Sequence, residues 1–257
     1  MNAAGTLRGA FFIPVALALL LAACAGRSPG ELATPGAARS AGEFCIERWQ
    51  PQRLPGKRST RYDVAGDRDR PFVRARAEAS ASLLRHRLRV EPAQLGELRF
   101  SWQVPALIER ADVRQREFED APARIVLAFD GDHERLDARD ELLFDLAHTL
   151  TGERPPYATL MYVWDAQAPL ESVVPGNRSS RVRKIVVESG PQRLAGWQAY
   201  RRDIVADYRR AFGEAPGPLI GVALMTDADN TGNSAAASYG AVCLGPAAAG
   251  AAPQPQR

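Results

Sequence analysis

The chain has 257 residues, and its 33 basic and 30 acidic side chains leave a net charge of only +3 at pH 7. No run of basic residues is interleaved with aromatic ones, which argues against nucleic-acid binding. The three histidines are not spaced with the cysteines in the manner of metal ligands, which argues against a zinc-type site.

The N-terminus resembles a bacterial lipoprotein signal. An apolar stretch over residues 10–21 follows Arg8 and is too short to remain in a bilayer as a spanning helix. The string 21–24, Leu-Ala-Ala-Cys, resembles the lipobox, which implies cleavage before Cys24 and lipidation of its thiol. Ala25, where Asp would signal retention, resembles sorting to the outer membrane, with the domain facing the periplasm. An ordinary signal peptide with an incidental cysteine is the alternative.

Four segments are expected along the chain. They are a signal peptide (1–23), a flexible tether (24–42), a folded domain (43–244) and a disordered tail (245–257). The tether and the tail consist mainly of small residues, Pro and Gly, and carry too little apolar surface to fold. The roughly two hundred residues between them suffice for a single domain.

Most of the domain is predicted to form strands. In residues 97–104 the apolar side chains fall on even positions, so one face of the strand should be buried. Two helices that end at glycines are expected over 136–150, with a leucine face, and over 197–212, with an aromatic face. This pattern favours a mainly β fold, a jelly-roll-like sandwich with two amphipathic helices. The predicted strands span 44–49, 60–65, 72–78, 81–90, 97–104, 123–130, 157–164, 181–188, 218–226 and 236–244.

Two cysteines open and close the predicted domain. Cys45 lies in its first strand and Cys243 in its last. In the oxidising periplasm such a pair is a candidate disulfide. Two buried free thiols are the alternative.

The loop 227–232, Asp-Ala-Asp-Asn-Thr-Gly, is the sharpest chemical feature of the sequence. Its oxygen-bearing side chains and the glycine at its sixth position match the first half of a calcium loop. The twelfth position is Ser238 rather than Glu and no helices flank the loop, so it is not an EF-hand. A hairpin held by Asx-type bonds is the alternative to a site. The candidate ligand residues are Asp227, Asp229, Asn230 and Thr231, the two aspartates being weak candidates for a structural calcium ion.

Other residues are candidates for supporting or lining a site. Arg124 is expected to pair with Asp120 or with a carboxylate of the loop, which either shapes a site or locks a turn to a strand. Trp102 and Trp164 lie on alternating apolar strands and are expected in the core, and Trp197 in the buried face of the second helix. Stacking of these rings on a sugar is the alternative.

Six strings of the domain together carry a family resemblance: 98–102, 119–124, 162–164, 197–214, 225–232 and 239–240. Taken together, they resemble the bacterial family DUF3047, a domain of unknown function. The likeness covers roughly residues 43–244, and the family implies no established activity. Its strand pattern looks like the galactose-binding-like jelly rolls of carbohydrate-binding modules, an analogy of fold alone.

The leading functional hypothesis is a membrane-anchored, non-catalytic envelope lipoprotein that binds a glycan or another envelope component. One alternative is an envelope hydrolase acting on polysaccharide, for which Asp227 and Asp229 offer paired carboxylates. The other is a structural partner in an envelope protein complex. The sequence contains no nucleophile elbow, metalloprotease motif, phosphate loop or dinucleotide fingerprint, which weakens the case for an enzyme.

Overall fold

The computed structural model describes residues 30–34 and 42–246. The predicted signal peptide, Cys24, most of the tether and residues 247–257 of the tail lie outside the described residues. Their assignments therefore stay predictions. Within the part of the chain that is described, no helix has the length and apolar character needed to cross a bilayer.

The described residues form fifteen strands, two α-helices and three short 3-10 helices. The helices are α1 (Ala138–Thr151) and α2 (Ile204–Phe212), and the 3-10 helices are Pro92–Gln94, Arg116–Phe118 and His133–Arg135. The strands are β1 (Leu32–Ala33), β2 (Phe44–Cys45), β3 (Arg48–Arg53), β4 (Arg61–Ala65), β5 (Phe72–Glu78), β6 (Ala81–Val90), β7 (Glu97–Gln103), β8 (Ala121–Phe129), β9 (Ala158–Asp165), β10 (Val173–Pro175), β11 (Val182–Ser189), β12 (Gln198–Asp203), β13 (Leu219–Asp227), β14 (Ser234–Tyr239) and β15 (Cys243–Leu244).

The strands form two sheets that pack as a sandwich. The eight-stranded sheet has the order β1-β3-β6-β13-β8-β9-β11-β10. The seven-stranded sheet has the order β2-β15-β7-β14-β5-β4, with β12 paired to β7. Neighbouring strands are antiparallel except β9 and β11, which are parallel. The prediction of a mainly β, jelly-roll-like sandwich with two helices is confirmed.

Aromatic side chains fill the space between the sheets. Phe100 and Trp102 of β7 face Tyr162 and Trp164 of β9, with the Phe100 and Tyr162 ring centroids 5.7 Å apart. Trp102 and Trp164 are fully buried, so the prediction that they belong to the core is confirmed. Trp197 is 46% exposed, and its assignment to a buried helix face is wrong.

The second predicted helix is only half helical. Residues 198–203 form strand β12, which pairs with β7 so that Tyr200 lies opposite Phe100. The helix α2 begins after Asp203, whose side chain accepts a hydrogen bond from the Ala206 backbone. The prediction of one long helix rested on an aromatic or apolar residue about every four positions. That spacing runs through both the strand and the helix, because Tyr200 fits the alternation of a strand equally well.

The first predicted helix exists nearly as expected, but its leucine face is not buried. Asp137 caps α1 at its start, and Gly152 ends it in a left-handed conformation. The helix and the outer face of the eight-stranded sheet line one groove. Phe144 is buried and its ring contacts His133, while Leu142 and Leu150 are exposed. Spacing predicts which residues share a helix face, but not whether a neighbour covers that face.

Part of the predicted tether belongs to the domain. Strand β1 pairs with β3, and the Thr34 backbone donates to the Glu47 carbonyl at 2.7 Å. Leu32, a large apolar residue in an otherwise small-residue stretch, packs against the core. The tether prediction is therefore wrong for residues 30–34, because one anchored leucine outweighs the composition around it.

The two domain cysteines are bonded to each other. Cys45 on β2 and Cys243 on β15 are opposite residues of an antiparallel pair, and they form a disulfide. The predicted bridge is confirmed. It links positions 198 residues apart, and the chain-entropy model assigns a loop of that length a stabilisation of about 5 kcal/mol as an upper figure.

Candidate functional site

The loop 227–232 follows β13 and lies over the beginning of β8. These strands are neighbours, with Asp227 opposite Ala121 and Met225 opposite Arg124. Side chains two residues apart on a strand share a face, so Arg124, Met225 and Asp227 all emerge on the outer face of the eight-stranded sheet. The opposite face of β8 packs into the core.

A buried ion pair joins the two strands at this point. Arg124 Nε donates to Asp227 Oδ1 at 2.8 Å, and the second terminal nitrogen of its guanidinium donates to Oδ2 at 3.0 Å. The Ala121 backbone also donates to Asp227, at 3.2 Å. Of the two partners predicted for Arg124, the structure thus places the loop carboxylate beside it. A planar guanidinium suits this bidentate geometry.

The environment of Asp227 favours its protonated form. Burial, together with a smaller effect of the nearby charge of Asp120, raises the pKa of this carboxyl to about 6, even though Arg124 opposes the shift. The desolvation of the charged carboxylate costs more free energy than its interaction with one guanidinium recovers. Asp227 is consequently a carboxyl that titrates close to neutral pH.

Asp120 holds the loop in place from outside it. Its carboxylate accepts from the Asn230 backbone at 3.1 Å, and from the Thr231 backbone and hydroxyl at 2.7 and 2.6 Å. The Asn230 side chain in turn donates to the Arg116 carbonyl at 2.7 Å. The predicted supporting residue is therefore the anchor of the loop. The hairpin alternative expected hydrogen bonds between side chains and backbone, and such bonds exist. The accepting carboxylate, however, belongs to Asp120, the residue before β8, and not to the loop itself.

The three aspartates come close together, and each already has a partner within the protein. Single oxygens of Asp120, Asp227 and Asp229 lie within 4.8 Å of one another. Each carboxylate is already engaged: Asp229 forms an ion pair with Lys57, Asp227 binds Arg124, and Asp120 accepts from the loop. Calcium takes six to eight oxygen ligands, whereas two cationic side chains and four N–H or O–H donors already engage these carboxylates. The calcium assignment stays a prediction.

A second buried ion pair lies beside the first and was not predicted from the sequence. Lys184 on β11 is fully buried, and its Nζ lies 2.6 Å from Glu119 and 2.8 Å from the Val113 carbonyl. Asn177 donates to the other oxygen of Glu119 at 2.6 Å. Burial, and then the charge of Arg124, lower the pKa of Lys184.

One sequence signal did point to this pair. The chain has only two lysines, Lys57 and Lys184, and both form ion pairs in this cluster. Lys184 also interrupts the apolar run of β11, where a charge must have a buried partner.

These side chains line a polar cavity of about 250 Å³, which we call the polar pocket. Its positive charges come from Lys57, Arg124 and Arg178, and its negative charges from Glu119, Asp227 and Asp229. It opens into a larger groove of about 610 Å³ that continues over the outer face of the same sheet toward α1. The residues common to both are Leu54, Lys57, Met161, Arg178 and Met225.

A separate cleft of about 580 Å³ lies on the seven-stranded sheet. Trp197 lines it together with Asp67, Asp69 and Arg70. Its ring contacts Phe72 edge-on, with centroids 5.6 Å apart. The predicted sugar-stacking alternative is therefore sterically open to Trp197, but closed to Trp102 and Trp164.

Comparison with known proteins gives a family and little else. No curated protein matches this chain. Among solved structures, the family 11 xylanase from Neocallimastix patriciarum is 9% identical, and the match covers 83% of this chain and 94% of the xylanase with a TM-score of 0.31. So low a TM-score carries no argument about this chain. The family model described as "Protein of unknown function (DUF3047)" matches residues 47–243, and the chain therefore belongs to the DUF3047 family.

Proposed function

We propose that this protein is a lipid-anchored, non-catalytic protein of the cell envelope that binds a glycan, or another polyhydroxylated envelope component, in the polar pocket. The observation that carries the proposal is the charge balance of the pocket. Lys57 is paired with Asp229, and Arg124 with Asp227. Fixed donors and acceptors therefore alternate around the cavity without an excess of either charge.

A balanced lining matches the chemistry of a sugar. Each hydroxyl both donates and accepts, so a ring with several hydroxyls fits a surface that offers both roles. A strongly anionic ligand would instead favour a cluster of unpaired cations. Because the ion pairs fix the lining side chains in place, little conformational entropy is lost on binding.

Binding fits the geometry better than catalysis does. Both oxygens of Asp227 are held by Arg124, and Asp229 is held by Lys57. A carboxyl that protonates a glycosidic oxygen must reach its substrate. The raised pKa of Asp227 is the one observation that favours the hydrolase alternative, since a general acid needs such a shift.

The anchor part of the proposal follows from the sequence around Cys24. The Cys45–Cys243 disulfide supports it, because structural disulfides persist in oxidising compartments such as the periplasm. A Cys24→Ala variant should be released from membranes as soluble protein. Unchanged membrane retention of that variant would contradict the anchor.

Glycan binding is tested by calorimetry with soluble envelope polysaccharide fragments. Arg178 lines the pocket at an exposed position, and Asn177 donates one hydrogen bond there. Asn177→Ala and Arg178→Ala should each weaken binding by about fivefold, the value of one hydrogen bond. The matched control is Trp197→Ala, which alters the other cleft. Loss of binding in the control, but not in the pocket variants, would move the site to the Trp197 cleft.

The same fragments decide between binding and hydrolysis. We expect no release of new reducing ends on prolonged incubation with the wild-type protein. Turnover that disappears in an Asp229→Ala variant of unchanged thermal stability would replace the binding proposal with the hydrolase alternative.

A further inference from the structure

The exposed leucines of α1 are the most unusual surface feature of the described residues. Leu142, Leu146 and Leu150 are 71%, 54% and 66% exposed and follow one another at intervals of four, so they form one stripe along the helix. Helices of water-soluble domains normally bury such a stripe. An exposed row of this kind marks a surface that meets an apolar partner.

The stripe borders the larger groove described above. Leu146 and Leu150 line the groove from the helix side, and Val126, Ala223 and Met225 line it from the sheet. Salt bridges from Arg85 and Arg87 to Glu153, just after α1, hold the end of the helix against the sheet. The stripe and the groove together form one apolar surface, which we call the α1 face.

The N-terminal segment enters the domain at the rim of this α1 face. Gly30 lies beside Pro51, because a Cβ placed on Gly30 would be 3.5 Å from the proline ring. Gln52 and Leu54, one and three residues after Pro51, line the groove beneath α1. Gly30 follows Cys24 by only six positions, and a segment of that length spans at most about 20 Å.

We propose that the α1 face docks on the surface of a phospholipid bilayer. The inference rests on the lipidation of Cys24 proposed above and adds the orientation of the domain. A lipid on Cys24 places the rim of the α1 face within about 20 Å of the bilayer. Leucine side chains then enter the boundary between headgroups and acyl chains, as those of interfacial helices do. The short connection makes this docking intramolecular, so that even a weak contact is populated.

The lipidated full-length protein, reconstituted into phosphatidylethanolamine and phosphatidylglycerol vesicles, provides the test. With Cys24 acylated and the other two cysteines bonded, a single introduced cysteine carries an environment-sensitive fluorophore. Leu146→Cys and Leu150→Cys report on the α1 face. Leu170→Cys is the matched control, because Leu170 is 58% exposed and follows the C-terminal end of β9, whereas α1 precedes its N-terminal end.

Labels on the α1 face should shift to shorter emission wavelengths and lose about half or more of their intensity to brominated lipid. The label at position 170 should do neither. Equal quenching at all three positions would overturn the docking proposal.

Two further measurements separate the possible failures. Intact-mass analysis that finds no lipid on Cys24 would overturn the proposed anchor, and the docking orientation with it. Sedimentation of the unlipidated Cys24→Ser protein tests self-association. A dimer that is lost on changing Leu142, Leu146 and Leu150 to Ser would assign the α1 face to a second copy of the chain and overturn the bilayer as its occupant.

Discussion

The polar pocket and the α1 face depart from the ordinary distribution of residues in opposite ways, on the same face of the same sheet. The pocket buries charge, in Arg124 and Asp227, whereas the α1 face exposes leucine. The first arrangement is tolerated because each buried charge has a fixed partner. The second is costly in water unless something apolar covers it. The difference teaches that the buried charges of the pocket find their partners within the domain, while the leucines of the α1 face require an external partner.

The largest expected effect is the separation of a buried pair in the pocket. Arg124→Met leaves Asp227 buried without its guanidinium, which should lower the free energy of unfolding by about 3–5 kcal/mol. The double variant Arg124→Met/Asp227→Leu removes both charges and should recover most of that loss. Urea unfolding of the three proteins measures both quantities. A single variant as stable as the wild type would show that the pocket is not held by this pair.

A second effect depends on pH. The folded state raises the pKa of Asp227 from 3.8 to about 6, chiefly through burial, and so binds its proton more tightly than the unfolded chain does. Its contribution to the free energy of unfolding is therefore fully present below about pH 4, and on the order of 3 kcal/mol is lost as the pH rises through 6. Asp227→Asn should abolish this slope.

Asp112 provides an internal control for the direction in which the free energy of unfolding changes with pH. The hydrogen bond from Arg114 lowers the pKa of Asp112 from 3.8 to about 2, so its stabilisation is present above pH 3.8 and is lost as the pH falls through 2. The pH ranges over which the Asp227 and Asp112 contributions are lost therefore lie on either side of pH 4. Stability that rises between pH 4 and 6 with the same slope in wild type and Asp227→Asn would contradict the raised pKa.

A smaller effect is expected at the anchor of the loop. Asp120→Ala leaves the Asn230 and Thr231 backbone amides without their acceptor, at an expected cost of about 1–3 kcal/mol. Amide hydrogen exchange should quicken at these two residues and remain unchanged in β6. Unaltered exchange would mean that the loop holds its shape without Asp120.

The smallest effect belongs to the α1 face. In the absence of membranes, Leu146→Ser and Leu150→Ser should change the free energy of unfolding by no more than about 0.5 kcal/mol, because these side chains contact little. Phe144→Ala, on the buried side of the same helix, should cost about 3–5 kcal/mol. Thermal or urea unfolding gives both values. Similar losses at the leucines and at Phe144 would show that the leucines are buried in solution.

Local sequence signals predicted much of the fold. The alternation over residues 97–104 matched β7, and the leucine spacing with the stop at Gly152 located α1, because these signals act over a few neighbouring residues. The pair Cys45 and Cys243 was predictable because no other cysteine of the domain competes. Spacing failed at residues 197–212, where the pairing of β12 with β7 overrode a helical pattern.

The candidate site was predictable only in part, because its partners are distant in sequence. The loop 227–232 was recognised from its own residues. Lys57 lies 172 positions before Asp229, and Asp120 lies 111 positions before Thr231. No local pattern indicates such pairings, and they make the loop an ion-paired wall of a pocket. Likewise, the exposure of the α1 leucines depends on whether another part of the chain packs against that face of the helix, which their spacing does not show.

The most direct test of the central claim, glycan binding in the polar pocket, is amide chemical-shift mapping of the protein with envelope oligosaccharides. We predict that the shifts cluster at Asn177, Arg178 and Asn230, around the pocket. Shifts confined to the cleft around Trp197, or none at millimolar oligosaccharide, would contradict the account.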